Sequence, residues 1–278
     1  VGPAGQLVLM FFGNISNPPP AGSADCSMPS MTYNLTTTTT YVSVSPTGSP
    51  LGPWTTPREL SGMENNVPRH GGDPYRWSCA SGNPSPAFHP NGTLFAAMRQ
   101  NPCWGGYRTR EHIGLWRADD GWNGTWTLVN TAGPLYGWGN GSQQACVGTG
   151  CPSHEDPHLW IDGSGGFHLL THDQNDPRIH SVRGAYGWSV DGLTWHLETP
   201  AAGGASAWEM ALRWTNGSTS TLARRQRPSF VLDRGSGRPT HLITGTDFAD
   251  HAPPGAGKVF CDGCHWGHGF TLVQPLQP

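Results

Sequence analysis

"DPHLWIDGSGGFHLLTHD", residues 156 to 173, sets an Asp-Pro step ahead of an apolar run, a Gly-rich turn and a second apolar run. Short apolar segments on either side of a Gly-bearing turn read as two paired strands. The same layout returns in "NPSPAFHPNGTLFAAMRQ" (residues 83 to 100) and in "RPSFVLDRGSGRPTHLITG" (residues 227 to 245). Their prolines, Pro84, Pro157 and Pro228, stand 73 and 71 residues apart. A second marker, a strand leading through a turn to tryptophan, ends at Trp54, Trp126 and Trp195, spaced 72 and 69 residues, and Trp266 lies 71 further on. Two independent markers keep one period. A unit of about 70 residues holding four short strands has the size of a β-propeller blade, a small antiparallel sheet whose faces are covered only by its neighbours. The expected fold is all-β, a propeller of four-stranded antiparallel blades.

Composition agrees with many short strands and turns. The 278 residues include 39 Gly and 26 Pro, and no segment sustains the apolar period of an amphipathic helix. With 13% charged residues and a net charge of −3, the chain has no basic stripe to neutralise phosphates, so nucleic acid is not an expected partner. The longest apolar run, "LVLMFF" (residues 7 to 12), is strand-sized, and no membrane partner is expected. No leader pattern opens the sequence, so a secretion signal is expected to have been removed or left out.

Secretion is expected from two other features. Asn-x-Ser/Thr acceptors for N-linked sugar occur at Asn14, Asn34, Asn91, Asn123, Asn140 and Asn216. Seven cysteines include two close pairs, Cys146 with Cys151 and Cys261 with Cys264, which read as short disulfide clips, and Cys79 with Cys103 is a third candidate pair. That pairing leaves Cys26 over. "CDGCHWGH" also has the donors of a zinc site in its two cysteines, His265 and His268, but no second Cys pair at knuckle spacing accompanies it, and the disulfide is preferred.

"EDPHLW" with "GGFHLLTHD", then "GWSVDGLTW", then "RRQRPSFVLD" with "RPTHLITG", resembles the five-bladed propeller of the glycoside hydrolase family 43 and 32 superfamily, over roughly residues 40 to 245. The resemblance implies five blades and a glycan-facing funnel lined by the first residues of the innermost strands. It also implies three acids, each near the start of a different inner strand. The matching positions here are read as Asn83, Asp156 and Gln226, only one of them an acid, and an amide such as Gln226 cannot protonate a glycosidic oxygen. Two carboxylates are needed for that chemistry.

Asp156 is the expected funnel carboxylate, with Glu155 as a substitute acid if its strand is displaced by one residue and Asp73, in a similar Asp-Pro context, as a third candidate. Asp-Pro at a strand start also serves turns. Arg227, Gln226, Asn83 and His154 are candidate substrate contacts, Arg227 either binding a hydroxyl or carboxylate or pairing with Asp156. No cofactor or resident metal is expected, although the resemblance leaves open an axial cation on His172 or Asp173.

Residues 1–40 depart from the repeat, and residues 41–278 are assigned to the propeller. The N-terminal segment carries "NPPPAG" and "LTTTTTY", tracts suited to O-linked sugar, and a strand that either closes the propeller or pairs with a neighbouring chain. The sequence thus supports a secreted, glycosylated, glycoside-hydrolase-like propeller, weakly active or inactive, with carbohydrate as its partner. The alternative is a structural subunit of an extracellular assembly or fibre, joined through the N-terminal strand.

Overall fold

The computed structural model describes residues 5–13, 39–60, 80–101, 112–119, 121–122, 124–130, 135, 154–173, 183–198, 205–233, 235–248 and 270–276. These residues form fifteen strands in four antiparallel sheets and no helix. Asp73, His265, Trp266, His268, all seven cysteines and four of the six glycan acceptors (Asn14, Asn34, Asn123 and Asn140) lie outside them, as do the side chain of Asp173 and the Pro and Thr tracts up to Thr38.

The first sheet orders β1 (Leu7–Gly13), β2 (Thr39–Ser45) and β3 (Arg58–Glu59). The second holds β4 (Ala80–Phe88), β5 (Leu94–Asn101), β6 (His112–Ala118) and β7 (Trp126–Leu128), and the third repeats it with β8 (His154–Ile161), β9 (Phe167–Asp173), β10 (Arg183–Ser189) and β11 (His196–Glu198). The fourth contains β12 (Ala211–Arg213), β13 (Thr219–Leu232), β14 (Pro239–Phe248) and β15 (Phe270–Pro275). Four sheets, against the five blades implied by the resemblance, are therefore formed by the described residues.

Alternation along the strands sends successive side chains to opposite faces, and each face meets the neighbouring sheet. Leu94, Ala96 and Met98 of β5 pack with Met10, Val42 and Val44 of the first sheet. Ala97, from the other face of the same strand, packs with Leu159, Phe167 and Leu169 of the third. Leu170 then turns from β9 to Trp160, Trp208 and Leu242 at the seam with the fourth sheet. A separate apolar cluster at each seam is the packing a propeller requires, because no sheet has a core of its own. The two seams around the third sheet are also tied by a repeated hydrogen bond. The Leu159 N–H donates to Ser85 Oγ at 2.8 Å, and one unit later the Phe230 N–H donates to His158 Nε2 at 3.1 Å.

Close approach at the last seam excludes a side chain at Gly184, where an added Cβ would lie 2.2 Å from the Trp208 ring. Of the repeated tryptophans, Trp126 is fully buried and Trp195 packs at a seam, whereas Trp54 is 37% exposed. The strand-plus-turn marker is thus shared, while the anchoring role of its tryptophan is not.

β1 has a defined place within the first sheet. The third strands β6 and β10 each lead through the turn to tryptophan, and so does β2. β1, which precedes β2 and pairs with it along its whole length, therefore stands where β5 and β9 stand. In this sheet no inner strand is present among the described residues.

Burial pushes the His158 imidazole down to about 4, which keeps it neutral and its Nε2 available to Phe230. The unfolded chain binds this proton near the ordinary value of 6.5. Acidification between those two values therefore favours the unfolded chain, and above 6.5 the group contributes no pH dependence. The unfolding free energy is expected to fall by as much as about 3 kcal/mol across that interval, and by clearly less in His158→Ser. Identical pH slopes for the two proteins in urea unfolding would show that His158 does not control the seam.

Candidate functional site

The site begins with a bulge repeated in three sheets. Pairing in β4 skips from Gly82 to Ser85, in β8 from Glu155 to His158, and in β13 from Gln226 to Ser229. Each skip holds a residue followed by proline, which has no N–H for the ladder, so the pair is expelled from the regular pattern. The leading residues, Asn83, Asp156 and Arg227, have φ of 48°, 50° and 54°. Asn and Asp tolerate positive φ comparatively well, whereas a long side chain such as Arg does not.

This register corrects the sequence alignment. Asn83 and Asp156 do match, but their counterpart in the fourth sheet is Arg227, and Gln226 corresponds instead to Gly82 and Glu155. Proline spacing alone contains this correspondence, since each of the three matching residues directly precedes the anchoring proline.

The three steps converge with β1 around an open pocket of about 320 Å³ lined by Asn83-Pro84, Asp156-Pro157, Arg227-Pro228 and the pair Met10 and Phe11. Phe11 is braced by Tyr41, with stacked rings 5.7 Å apart. Sequence reasoning missed both apolar residues, which reach the pocket because β1 takes a second-strand position. Asp156 is the sole carboxylate among the described lining residues. Its side chain is 5% exposed, it accepts a short hydrogen bond from the Asn83 amide, and Arg227 Nη1 lies 3.5 Å from the same oxygen.

Glu155 stands beside Asp156 rather than opposite it. Adjacent strand residues ordinarily point to opposite faces, but the bulge turns both carboxylates toward His172, and donor atoms of the three residues lie within 4.8 Å of one another. Arg99 Nη1 holds Glu155 at 2.5 Å, and Glu155 does not line the pocket. His172 is buried, its Nδ1 3.8 Å from Asp156 and 3.9 Å from Glu155, and neither ring nitrogen makes a hydrogen bond to a described residue.

Two carboxylates and an imidazole suit a divalent cation by donor type. Here, however, both carboxylates already face guanidinium groups, and a cation would have to displace Arg99. His154 is fully buried, with Nδ1 at 3.1 Å from Thr171 Oγ1, and is not among the lining residues; nor is Gln226.

Three further carboxylates of the third and fourth sheets, Asp162, Asp191 and Asp233, are occupied in hairpin turns. For Asp162, burial opposes the charge, yet hydrogen bonds from Ser164, His168 and the Gly166 and Ser164 N–H groups hold its carboxyl well below the usual range. Backbone N–H groups of Thr194 and Leu193 lower Asp191, and those of Ser236 and Gly235, with the Ser236 hydroxyl, lower Asp233. These are turn-forming roles.

No family profile and no curated protein sequence matches the chain. Solved structures do. A variant of the GH43 protein BlXynB from Bacillus licheniformis superposes over 98% of this chain with a TM-score of 0.52 at 10% identity. The fold is a glycosidase-type β-propeller. A Hadza microbial sialidase (TM-score 0.48, 13% identity, 90% of this chain) and the endo-arabinase of Bacteroides thetaiotaomicron (0.44, 13%, 87%) are also similar. The chain spans 39% of the BlXynB structure, 41% of the sialidase and 66% of the endo-arabinase.

The Arg99–Glu155 pair gives a direct test of the site's wiring. Arg99→Met and Glu155→Gln are each expected to lower the unfolding free energy by about 1–2 kcal/mol, and the double variant to lose about 1 kcal/mol less than their sum. Strict additivity in urea unfolding would mean that the two side chains are energetically independent.

Proposed function

We propose that this chain is a secreted, N-glycosylated propeller whose axial pocket binds a sugar residue, with hydrolysis weak or absent. One observation carries the reading. Among the described residues, the pocket formed at the bulges of β4, β8 and β13 presents a single carboxylate, Asp156, flanked by Asn83 and Arg227 at the matching positions. Asn, Asp and Arg side chains supply both donors and acceptors for sugar hydroxyls, and an aromatic ring such as Phe11 offers a stacking face. Glycosidic hydrolysis needs a general acid together with a nucleophile or base. Glu155 is close enough in distance, but its pairing with Arg99 removes it from that task.

The experiment is a panel of plant- and algal-type oligosaccharides, scored for binding and for release of reducing ends. Binding with little turnover is expected, weakened about ten-fold in Asp156→Asn by loss of a charged hydrogen-bond acceptor. Efficient turnover abolished by that substitution would instead make Asp156 catalytic, and a chain that binds none of the panel would overturn the reading.

Secretion and glycosylation are supported by the two described acceptors, Asn91 and Asn216, both exposed at turns with their side-chain oxygens accepting from Thr93 and Ser218 N–H groups. Expression through a eukaryotic secretory pathway should yield peptides carrying glycan at Asn91 and Asn216 by mass spectrometry. Unmodified asparagine at both would count against it.

A further inference from the structure

Arg227 occupies the pocket position at which the neighbouring sheets carry Asn83 and Asp156, and it differs from both in charge and in conformational cost. A long side chain at φ 54° is strained, and such strain persists where the surrounding structure and a ligand-facing role hold it in place. The side chain is 63% exposed and lines the pocket. Its nearest charged partner, Asp156 Oδ1, is 3.5 Å away, and that oxygen already accepts from Asn83. Among the described residues, the Arg227 guanidinium makes no hydrogen bond. Arg99, the other guanidinium of the region, is held by Glu155.

Among the described residues, the pocket therefore offers a largely exposed guanidinium ion-paired through Nη1 with Asp156, that buried carboxylate beside an amide, and an apolar wall formed by Met10 and Phe11. A guanidinium matches a carboxylate through two parallel hydrogen bonds, a geometry that a neutral hydroxyl cannot reproduce. We infer that the pocket selects a sugar bearing a ring carboxylate, a uronic acid unit. Its carboxylate docks on the outer edge of Arg227, its ring lies against Phe11, and its hydroxyls reach Asn83 and Asp156. The contrast in exposure, 63% for Arg227 against 5% for Asp156, lets an incoming anion meet the cation while avoiding the buried acid. The inference rests on the sugar-binding reading of the same pocket.

The test compares each acid with its own neutral form. Galacturonic and glucuronic acid trisaccharides, their methyl esters and a neutral xylose trisaccharide are titrated calorimetrically into the whole chain, into Arg227→Asn and into Arg227→Lys. Asn tolerates positive φ and stands at the equivalent position 83, so the first variant keeps the bulge, which thermal unfolding confirms. The expected result is an acid bound about ten-fold or more tighter than its ester, a preference that disappears in Arg227→Asn and survives in part in Arg227→Lys.

Equal affinity for acid and ester, or binding of the neutral trisaccharide alone, would overturn the acid selectivity and leave sugar binding standing. An acid preference undiminished in Arg227→Asn would overturn the role of Arg227. Failure to bind any of the five compounds would overturn both readings together.

Discussion

The X-Pro bulge is the constraint from which the site follows. Proline cannot donate to the strand ladder, so at three inner strands the ladder skips two residues and resumes beyond them. The residue before each proline adopts a positive φ, at a cost of roughly 1–2 kcal/mol for a non-glycine residue. That cost is balanced by the seams, where Leu159 and Phe230 donate to the neighbouring sheet within three residues of the bulge. The seam fixes the strand, the strand fixes the bulge, and the bulge aims three side chains at one point. A regular ladder would have sent Glu155 and Asp156 to opposite faces.

Charge is distributed around this point in a definite way. Glu155 and Arg99 close on each other away from the pocket, while Asp156 and Arg227 remain at its rim. His172 lies buried between the two carboxylates and makes no hydrogen bond to a described residue. On the sugar-binding reading proposed above, the pairing of Glu155 with Arg99 leaves Asp156 as the carboxylate that faces a ligand.

Much of the fold was legible in the sequence because a propeller repeats itself. The prolines at 84, 157 and 228 and the turns leading to tryptophan fixed the period, and the sheets follow it. The bulge register was legible as well, because Asn83, Asp156 and Arg227 each directly precede an anchoring proline, but the resemblance drew the reading one residue away, to Gln226. The role of Phe11 was hidden for a different reason. β1 resembles any apolar strand, and only its pairing with β2 reveals that it fills a second-strand position beside the axis. Likewise, Arg99 lies 56 residues from Glu155, and no local pattern announces their pairing.

Trp208 gives the packing a geometric consequence. Its indole rests against Gly184, where no side chain intervenes, and its Nε1 donates to the Arg225 carbonyl at 3.3 Å. The ring fills the seam between the third and fourth sheets together with Trp160, Leu170 and Leu242. Asp156 and Arg227 belong to those same two sheets. The pocket's acid and its cation are thus carried by two sheets whose shared seam is filled by a tryptophan that does not line the pocket, so a change of bulk at Trp208 acts on the frame that holds both without touching either.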